Sequence, residues 1–490
     1  MSHYSKNMTR RRFLATSAAV STVSLISAFP APALIAAGAN NAIRVGVIGL
    51  GVRGRNHSDI LGGLPDAKIV ALAEPDPNRL GEREEKFKTQ KAFTDMRRII
   101  EDPNVDAVTI ATCNHWHALA GIWAMEAGKD VYVEKPLALS TWECRQLVKV
   151  ARKYGRICQV GTQARSDKPY HEAVQKFLHE EKALGKILFA RANRFFPRRP
   201  IGKRTEPLDV RDKMDYNLWL GPAKDVPIYR DRLHYDWHWM WNTGNGETGN
   251  WGSHLLDNIR NDVLQDRVVG PKRILSLGGR LGPEDAGETP NTMITWFETD
   301  VCPIVLSFSG VEPKGRRHYT GRFQGPDSGY LVCCEGGYIH KEMVDAIAYD
   351  NAGKEICRFP AREFYGGAPH FVNFLQAIRS RKAEDLNCDI QVGFDDALWY
   401  NSANTAYRLG KEYKREAFLE TVGKSSKTAE ILVDIEQHVA DIGETVDSLR
   451  VSPILELDSV TGLYTGENAV AANTLMNYRP ARNEFVVPEV

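Results

Sequence analysis

The sequence lacks several features that would assign it to a class at once. Its eight cysteines form no C-x-x-C pair, which argues against a zinc or other metal site and against a disulfide framework. Neither sign of charge dominates, since 63 basic residues oppose 62 acidic ones, so nothing favours nucleic acid as a partner. No apolar run beyond the N-terminal segment is long enough to span a membrane. A globular protein acting on a neutral small molecule is the class that remains.

The N-terminal segment has a pattern of its own. The stretch "TRRRFLATSAAV", Thr9 to Val20, has consecutive arginines ahead of small apolar residues, as in a twin-arginine export signal. The apolar run Ala18 to Ala28 is too short for a stable membrane span, and Ala31-Pro32-Ala33 is a small-residue cleavage site. We therefore predict a signal and linker over 1–40 and a periplasmic or otherwise exported protein. An uncleaved N-terminal anchor is the alternative.

The rest of the chain predicts an α/β protein with two folded domains and a tail. Short β-branched runs alternate with helical patterns over 43–164, which predicts a parallel, doubly wound Rossmann sheet in domain 41–165. Its last helix, Thr141 to Gly155, has Thr141 as N-cap and an incomplete capping box, because Cys144 stands where Glu is expected. Alternating runs over 166–420 predict an α+β domain with a mainly antiparallel open sheet. Residues 421–490 are predicted as one helix and an irregular tail.

A glycine-rich turn marks a nucleotide site. Gly49, Gly51 and Gly54 form G-x-G-x-x-G between a predicted strand and helix, with Val52 and Arg53 inside the motif. The glycines permit a tight turn, close approach of a pyrophosphate and close packing of helix on strand. Glu74 ends the next predicted strand, where a carboxylate accepts hydrogen bonds from the adenosine ribose and repels a 2′-phosphate. We predict NAD, with NADP as the alternative if Arg53, Arg55 or Arg79 binds that phosphate.

Further motifs resemble the Gfo/Idh/MocA family of nicotinamide-dependent sugar and cyclitol oxidoreductases. The resemblance implies that Lys135 lies against the nicotinamide and the substrate, that Glu134 lies beside the cofactor, and that Pro136 is cis. It also implies that Asn114 hydrogen-bonds the cofactor ribose, whereas His115 and His117 are expected to pack the following helix. The motifs are "ATCNHWH" (Ala111 to His117), "VEKP" (Val133 to Pro136), "VGTQAR" (Val160 to Arg165) and "GETGNWGSHLLD" (Gly246 to Asp257).

The last two motifs carry the expected substrate chemistry. Asn250 and His254 stand four apart, so a helical turn places both on one face. By the resemblance His254 is the base that removes the hydroxyl proton, a role that suits an imidazole near neutral pH. Asn250 departs from the aspartate common in the family, which leaves hydroxyl binding intact and puts proton transfer through the pair in doubt. Gln163 and Arg165 are predicted to face the same crevice, and Asp257 to hold the substrate or supply the missing charge.

Tryptophans precede this motif at alternating positions. Trp237, Trp239 and Trp241 share one side if the segment is extended, and indoles stack on the apolar faces of sugar rings. A carbohydrate platform and ordinary core packing both fit this pattern. Tyr235 and His238 would then lie on the other side as polar contacts.

These observations predict an oxidoreductase that moves a hydride between a tightly bound nicotinamide and a secondary hydroxyl of a sugar, glycoside or cyclitol. An exported enzyme has no nucleotide pool, so its cofactor must be recycled in place. A redox-neutral, NAD-dependent glycosidase is therefore the first alternative, with His238 or a tyrosine as the extra base. A non-catalytic sugar-binding protein is the second. From the resemblance we also expect a homo-oligomer, a dimer or tetramer.

Overall fold

The computed structural model describes residues 42–89, 91–313, 325–342, 345–362, 367–422, 426–478 and 481–490. The predicted export signal over 1–40 lies outside these described residues. None of the described helices is both long enough and apolar enough to cross a membrane.

The first domain is built on a six-stranded parallel sheet in the order β3-β2-β1-β4-β5-β6, which confirms the predicted Rossmann topology. The strand order reverses beside β1, so the loops at the carboxyl ends of β1 and β4 diverge and open a crevice. The strands are β1 (Ile43–Ile48), β2 (Ala67–Ala73), β3 (Ala92–Phe93), β4 (Ala107–Ile110), β5 (Asp130–Glu134) and β6 (Cys158–Gly161). The helices are α1 (Val52–Gly63), α2 (Pro77–Phe87), α3 (Arg97–Ile100), α4 (Asn114–Glu126) and α5 (Thr141–Lys153).

The start of α5 differs from the prediction. Ser140, not Thr141, is the N-cap, and its hydroxyl accepts the backbone N–H of Glu143 while the Glu143 carboxylate accepts the N–H of Ser140. The capping box is therefore complete, and the predicted incomplete one was displaced by a single residue. Burial raises the pKa of Glu143 to about 8.

The second domain is built on a twelve-stranded, mainly antiparallel sheet, as predicted. Its central strands are β7, β10, β9 and β8, and β7 pairs with β10 in parallel. The strands are β7 (Ile187–Phe195), β8 (Arg273–Gly279), β9 (Thr292–Glu298), β10 (Ile304–Ser309), β11 (Ser328–Cys334), β12 (Gly337–Lys341), β13 (Ala346–Asp350), β14 (Glu355–Phe359), β15 (Lys411–Glu412), β16 (Arg450–Val451), β17 (Leu455–Asp458) and β18 (Leu463–Thr465).

Helices pack on both faces of this sheet. On one face Leu255 and Ile259 join a core with Ile304 and Phe308 of β10. On the other face Ile435 packs in a core with strand residues that include Phe189 and Leu277, so this face is partly covered. The helices of this domain are α6 (Lys168–Gln175), α7 (Tyr216–Leu220), α8 (Ser253–Asp262), α9 (Ala368–Ser380), α10 (Ile390–Arg408), α11 (Arg415–Val422), α12 (Ser426–Ile442) and α13 (Ala469–Met476).

The C-terminal tail is more ordered than predicted. Strands β16 and β17 both pair with β8, so the tail extends the second sheet, and β19 (Ala481–Arg482) pairs with β20 (Phe485–Val486). Helix α9 also departs from the predicted division, because Phe371 and Phe374 pack with Ile43 and Tyr132 of the first domain. These contacts join sequence-distant residues, which local patterns do not reveal.

Candidate active site

A cleft of about 350 Å³ opens at the carboxyl ends of the first sheet and is closed by residues of the second domain. Most of the predicted cofactor and catalytic residues line it, together with a set of aromatic side chains. The lining includes Gly49, Gly51, Val52, Arg53, Glu74, Asn114, Glu134, Lys135, Gln163, Asn250 and His254, and the aromatic residues Trp116, Trp219, Tyr235, Trp237 and Trp251.

The glycine turn has the geometry that a pyrophosphate requires. Gly49 has a φ of +82°, and a Cβ there would lie 2.8 Å from the Ala111 backbone. A Cβ on Gly54 would lie 1.7 Å from the Gly49 carbonyl oxygen, so this position accepts only glycine. A Cβ on Gly51 would meet only the Arg79 guanidinium, at 3.1 Å. Gly51 therefore faces open space at the N-terminus of α1, where an anion is stabilised.

Glu74 lies beside this turn and is buried. Its carboxylate accepts the backbone N–H of Leu50 at 2.7 Å and that of Asp76 at 3.2 Å, which fixes both oxygens at the cleft wall. Each of the three arginines that could bind a 2′-phosphate has a carboxylate partner. The pairs are Arg53 with Glu134, Arg55 with Glu82 and Arg79 with Asp76. The residues present therefore fit NAD better than NADP.

Glu134 is the centre of a buried hydrogen-bond network. One oxygen, Oε1, accepts from Arg53 at 2.8 Å, from His57 at 2.9 Å and from Gln163 at 2.9 Å. Because a carboxylate only accepts, the ring nitrogen Nε2 of His57 carries the proton. Arg53 holds the pKa of Glu134 well below its usual range despite burial. The network fixes the strand end that carries Lys135.

Lys135 follows this strand, and the bond to Pro136 is cis, as predicted. The Lys135 ammonium donates to the backbone oxygen of Asn250 at 2.5 Å and lies 3.4 Å from the Asn250 side-chain oxygen. Burial lowers the pKa of Lys135 to about 8, although Glu134 opposes the shift. A lysine with this lowered pKa is still an ammonium that donates a strong hydrogen bond at neutral pH, and it releases its proton at a pH only slightly above neutral.

His254 is the third member of this group. It lies at the start of α8, directly after a π-helical turn, Thr248–Gly252, that carries Asn250. Burial lowers the pKa of His254 well below its usual value, and the Lys135 ammonium lowers it further. The imidazole is therefore neutral at pH 7 and can accept a proton.

The residues after β4 form the start of α4. Asn114 is buried at the start of α4 and lines the cleft. His115 hydrogen-bonds the backbone oxygen of Trp219 at 3.1 Å, and His117 that of Pro136 at 2.8 Å. Both histidines thus connect α4 to neighbouring loops, and the ribose contact of Asn114 stays a prediction.

The predicted tryptophan platform is wrong in its geometry. Residues Asp236–Trp239 form a 3₁₀ turn, so the three indoles do not share one side. Trp237 lines the cleft and stacks on His238 with ring centres 3.6 Å apart, while Trp239 is buried outside it. Trp241 lies against Arg408. Alternation predicts one face only for an extended chain, and this segment is coiled.

Arg165 and Asp257 do not line the cleft either. The Arg165 Nε donates to Asp257 at 2.5 Å, and its two terminal nitrogens donate to Asp266 at 2.7 and 2.9 Å. Both Arg165 and Asp257 are buried, so they hold the short helical turn after β6, Gln163–Ser166, against α8. The prediction that they contact substrate is wrong, because each is already the other's partner.

Two residues of the last motif belong to the cleft region although they were not among the predicted site residues. Trp251 lies between Asn250 and His254 and lines the cleft, with the Arg194 guanidinium 3.8 Å from the ring centre on one side. Glu247 accepts from Asn250 Nδ2 at 3.3 Å. Both stand inside the quoted motif "GETGNWGSHLLD", so the signal was present. Among the described residues no group of three or more His, Cys, Asp or Glu is placed to hold a metal.

Comparison with known proteins agrees with this architecture. Residues 43–162 match an oxidoreductase family described by its NAD-binding Rossmann fold, and residues 200–440 match the C-terminal alpha/beta domain of the same family. The chain is 35% identical over 128 residues to the myo-inositol 2-dehydrogenase of Thermotoga maritima. The aligned segment covers 26% of this chain and 38% of that protein. It is 33% identical over 156 residues to the levoglucosan dehydrogenase of Pseudarthrobacter phenanthrenivorans, and this segment covers 30% of this chain and 39% of that protein.

These matches span less than two thirds of each relative's length. The structure of a levoglucosan dehydrogenase in complex with NADH superimposes with a TM-score of 0.54 at 20% identity, over 73% of this chain and 94% of that one. That likeness establishes the fold, and the two family matches establish the kinship. The chain belongs to the Gfo/Idh/MocA family of oxidoreductases, and residues 43–162 are its NAD-binding domain.

Proposed function

We propose that this protein transfers a hydride between a tightly bound NAD and a secondary hydroxyl of a sugar, glycoside or cyclitol. The observation that carries the proposal is a single cleft lined both by the glycine turn with Glu74 and by Lys135 with His254. A cofactor site and a proton-transfer group therefore open into the same space. The myo-inositol and levoglucosan dehydrogenases among the relatives support the substrate class.

The side chains divide the chemistry of alcohol oxidation between them. Bound NAD supplies the hydride acceptor for the carbon that carries the hydroxyl. The neutral His254 imidazole accepts the hydroxyl proton as the carbon–oxygen double bond forms. The Lys135 ammonium donates a hydrogen bond to the reacting oxygen, and it stabilises the negative charge that develops there as the proton leaves. In the reverse direction the same histidine returns the proton.

The aromatic lining supports a ring-shaped substrate. Trp237 and Trp251 present apolar indole surface to the cleft close to the polar groups Lys135 and Asn250. A sugar or cyclitol ring has an apolar C–H face and hydroxyls at its edge, so it matches a wall of this mixed character. The buried Arg194 guanidinium packs against the Trp251 ring and holds it in place.

We also propose export by the twin-arginine route with the cofactor already bound. The motif within residues 1–40 is the support for export. Folding around NAD before export explains why such a route is needed, because the nucleotide is available only where the chain is made. Tight binding and recycling in place are the consequences.

We also propose that the protein forms a homo-oligomer through the face of the second sheet that carries Tyr338 and Tyr349. Tyr338 and Tyr349 form a cross-strand pair there, with ring centres 5.1 Å apart, and both are only half-buried in the single chain. Size-exclusion chromatography with light scattering tests this proposal, and a monomeric mass at micromolar concentration contradicts it.

One observation favours the redox-neutral glycosidase as a second candidate. His238 lines the same cleft, and its Nδ1 donates to the backbone oxygen of Tyr235 at 2.5 Å, which leaves Nε2 as the acceptor nitrogen. Burial lowers the pKa of His238 to about 3, so the imidazole is neutral at pH 7. Elimination of an aglycone after ring oxidation requires a second base of this kind.

One experiment separates these functions. The purified protein is denatured and any released nucleotide is identified; intact protein is then given sugars, cyclitols and aryl glycosides while nicotinamide absorbance and aglycone release are followed. Lasting reduction of the nicotinamide supports the oxidoreductase, and aglycone release without net reduction of the nicotinamide supports the glycosidase. Absence of both signals over a broad panel overturns both and leaves a sugar-binding protein.

A further inference from the structure

A chain of polar contacts runs from Lys135 away from the cleft. The Asn250 side chain is the central element, because its Oδ1 lies 3.4 Å from the Lys135 ammonium and its Nδ2 donates to Glu247 Oε2 at 3.3 Å. Glu247 in turn accepts from the Arg198 Nη2 with both oxygens, at 2.9 and 3.1 Å. Glu247 is 5% exposed, so these contacts are shielded from water.

The chemistry of the two ends permits only one orientation of the Asn250 amide. An ammonium can only donate and a carboxylate can only accept, so Oδ1 must face Lys135 and Nδ2 must face Glu247. With the amide reversed, two donors would face each other at Lys135 and two acceptors at Glu247. The carboxylate of Glu247 therefore determines which end of Asn250 the lysine meets.

We propose that Glu247 is a positioning residue for the reaction, acting through Asn250 to hold the Lys135 ammonium and supplying the negative charge that a carboxylate at position 250 would otherwise bring. The catalytic role in this inference rests on the proposed function, whereas the contacts among Lys135, Asn250 and Glu247 do not depend on it. The charge is displaced by three residues along the chain, from position 250 to position 247. The asparagine at 250 then relays the orientation and does not weaken the site.

Other charged groups around Lys135 do not provide the same contact. Glu134 precedes it on β5 but already accepts from Arg53, His57 and Gln163. Among the remaining neighbours, Arg53 and Arg198 are cationic and disfavour the ammonium. The groups that face Lys135 from the surrounding elements are Glu134 and Arg53 from the first domain, Glu247 and Arg198 from the second, and the histidines His117, His238 and His254.

The test measures the protonation of Lys135 without any substrate. Competitive labelling with acetic anhydride over a pH series, read by mass spectrometry of the Lys135 peptide, gives the midpoint at which the amine becomes reactive. Glu247→Gln is expected to shift this midpoint to lower pH, because the ammonium loses a nearby negative charge. The double variant Glu247→Gln/Asn250→Asp is expected to shift it back. Glu284→Gln, an exposed carboxylate paired with Lys203, is the matched control and leaves it unchanged.

Activity provides the second readout. Glu247→Gln is expected to lower kcat by up to about 100-fold, as a misplaced catalytic group does, and the double variant to recover at least about tenfold. An unchanged labelling midpoint in Glu247→Gln, or no recovery in the double variant, overturns the inference and leaves Glu247 a structural partner of Arg198. If Glu247→Gln does not fold, the single variant Asn250→Asp is tested in its place and is expected to raise the pH midpoint of Lys135 labelling. An unchanged midpoint in that variant also overturns the inference. Since labelling needs no substrate, its outcome is separate from that of the proposed function.

Discussion

Replacing Gly51 by alanine separates cofactor binding from folding. The backbone at Gly51 has a φ of −66° and a ψ of −164°, which alanine adopts without strain. The added methyl would meet only the end of the flexible Arg79 side chain, at 3.1 Å, and would otherwise point into the cleft. We therefore expect Gly51→Ala to fold normally and to obstruct the pyrophosphate.

The magnitudes follow from this geometry. Alanine caps a helix less well than glycine, so the free energy of unfolding without NAD should fall by about 0.5–1 kcal/mol. An extra methyl at a close contact costs about 1–3 kcal/mol, which corresponds to a loss of about 5- to 150-fold in affinity. At a free NAD concentration 100 times the wild-type Kd, the wild type gains about 2.7 kcal/mol of stability, whereas a variant weakened 100-fold gains about 0.4 kcal/mol.

The assay is unfolding of the nucleotide-free protein with and without NAD, alongside calorimetric titration. Two variants of the same helix region are the controls. Gly63→Ala has no neighbour within 4 Å and should bind NAD as the wild type does, while Gly54→Ala, with its Cβ 1.7 Å from a backbone oxygen, should lower stability even without NAD. If Gly51→Ala binds NAD with wild-type affinity, the turn does not hold the pyrophosphate and the cofactor assignment of these glycines fails.

The remaining predictions concern the reacting groups and the buried ion pair. His254→Ala should lose about 10²- to 10⁴-fold in kcat with NAD affinity unchanged, and activity within tenfold of wild type would exclude it as the base. Oxidation, measured as kcat/KM, should fall as pH rises through about 8, because the Lys135 ammonium loses its proton there; Lys135→Met should abolish this limb, and a limb that persists in it belongs to another group. Arg165→Leu should lower the free energy of unfolding by about 3–5 kcal/mol by leaving Asp257 buried without its partner. Wild-type stability with a raised KM would restore Arg165 as a substrate anchor.

The sequence predicted those parts of the site that depend on local geometry. The glycine turn, the strand ends at Glu74 and Lys135, and the cis bond before Pro136 are each determined within a few residues, and the structure places all of them at one cleft. The strand–helix alternation likewise predicted the order of elements, because the spacing of apolar residues shows which face of each strand or helix is buried.

Parts that depend on distant contacts were not predictable in this way. Arg165 was read as a residue facing the crevice, but its partners Asp257 and Asp266 lie about one hundred positions away. The tryptophan pattern failed because alternation defines a face only in an extended segment. The choice of Ser140 over Thr141 as N-cap moved a capping box by one residue, since both hydroxyls satisfy the local rule.

Transfer of an isotope shows whether hydride passes from the substrate to NAD in this cleft. A sugar or cyclitol substrate that carries deuterium on the carbon of the reacting hydroxyl is incubated with the NAD-loaded protein, and the nucleotide is then released and weighed by mass spectrometry. We expect that one deuterium appears in the nicotinamide ring, and that His254→Ala, which still holds the nucleotide, prevents its transfer. Conversion of the substrate with no deuterium passing through the nucleotide would contradict hydride transfer at this cleft.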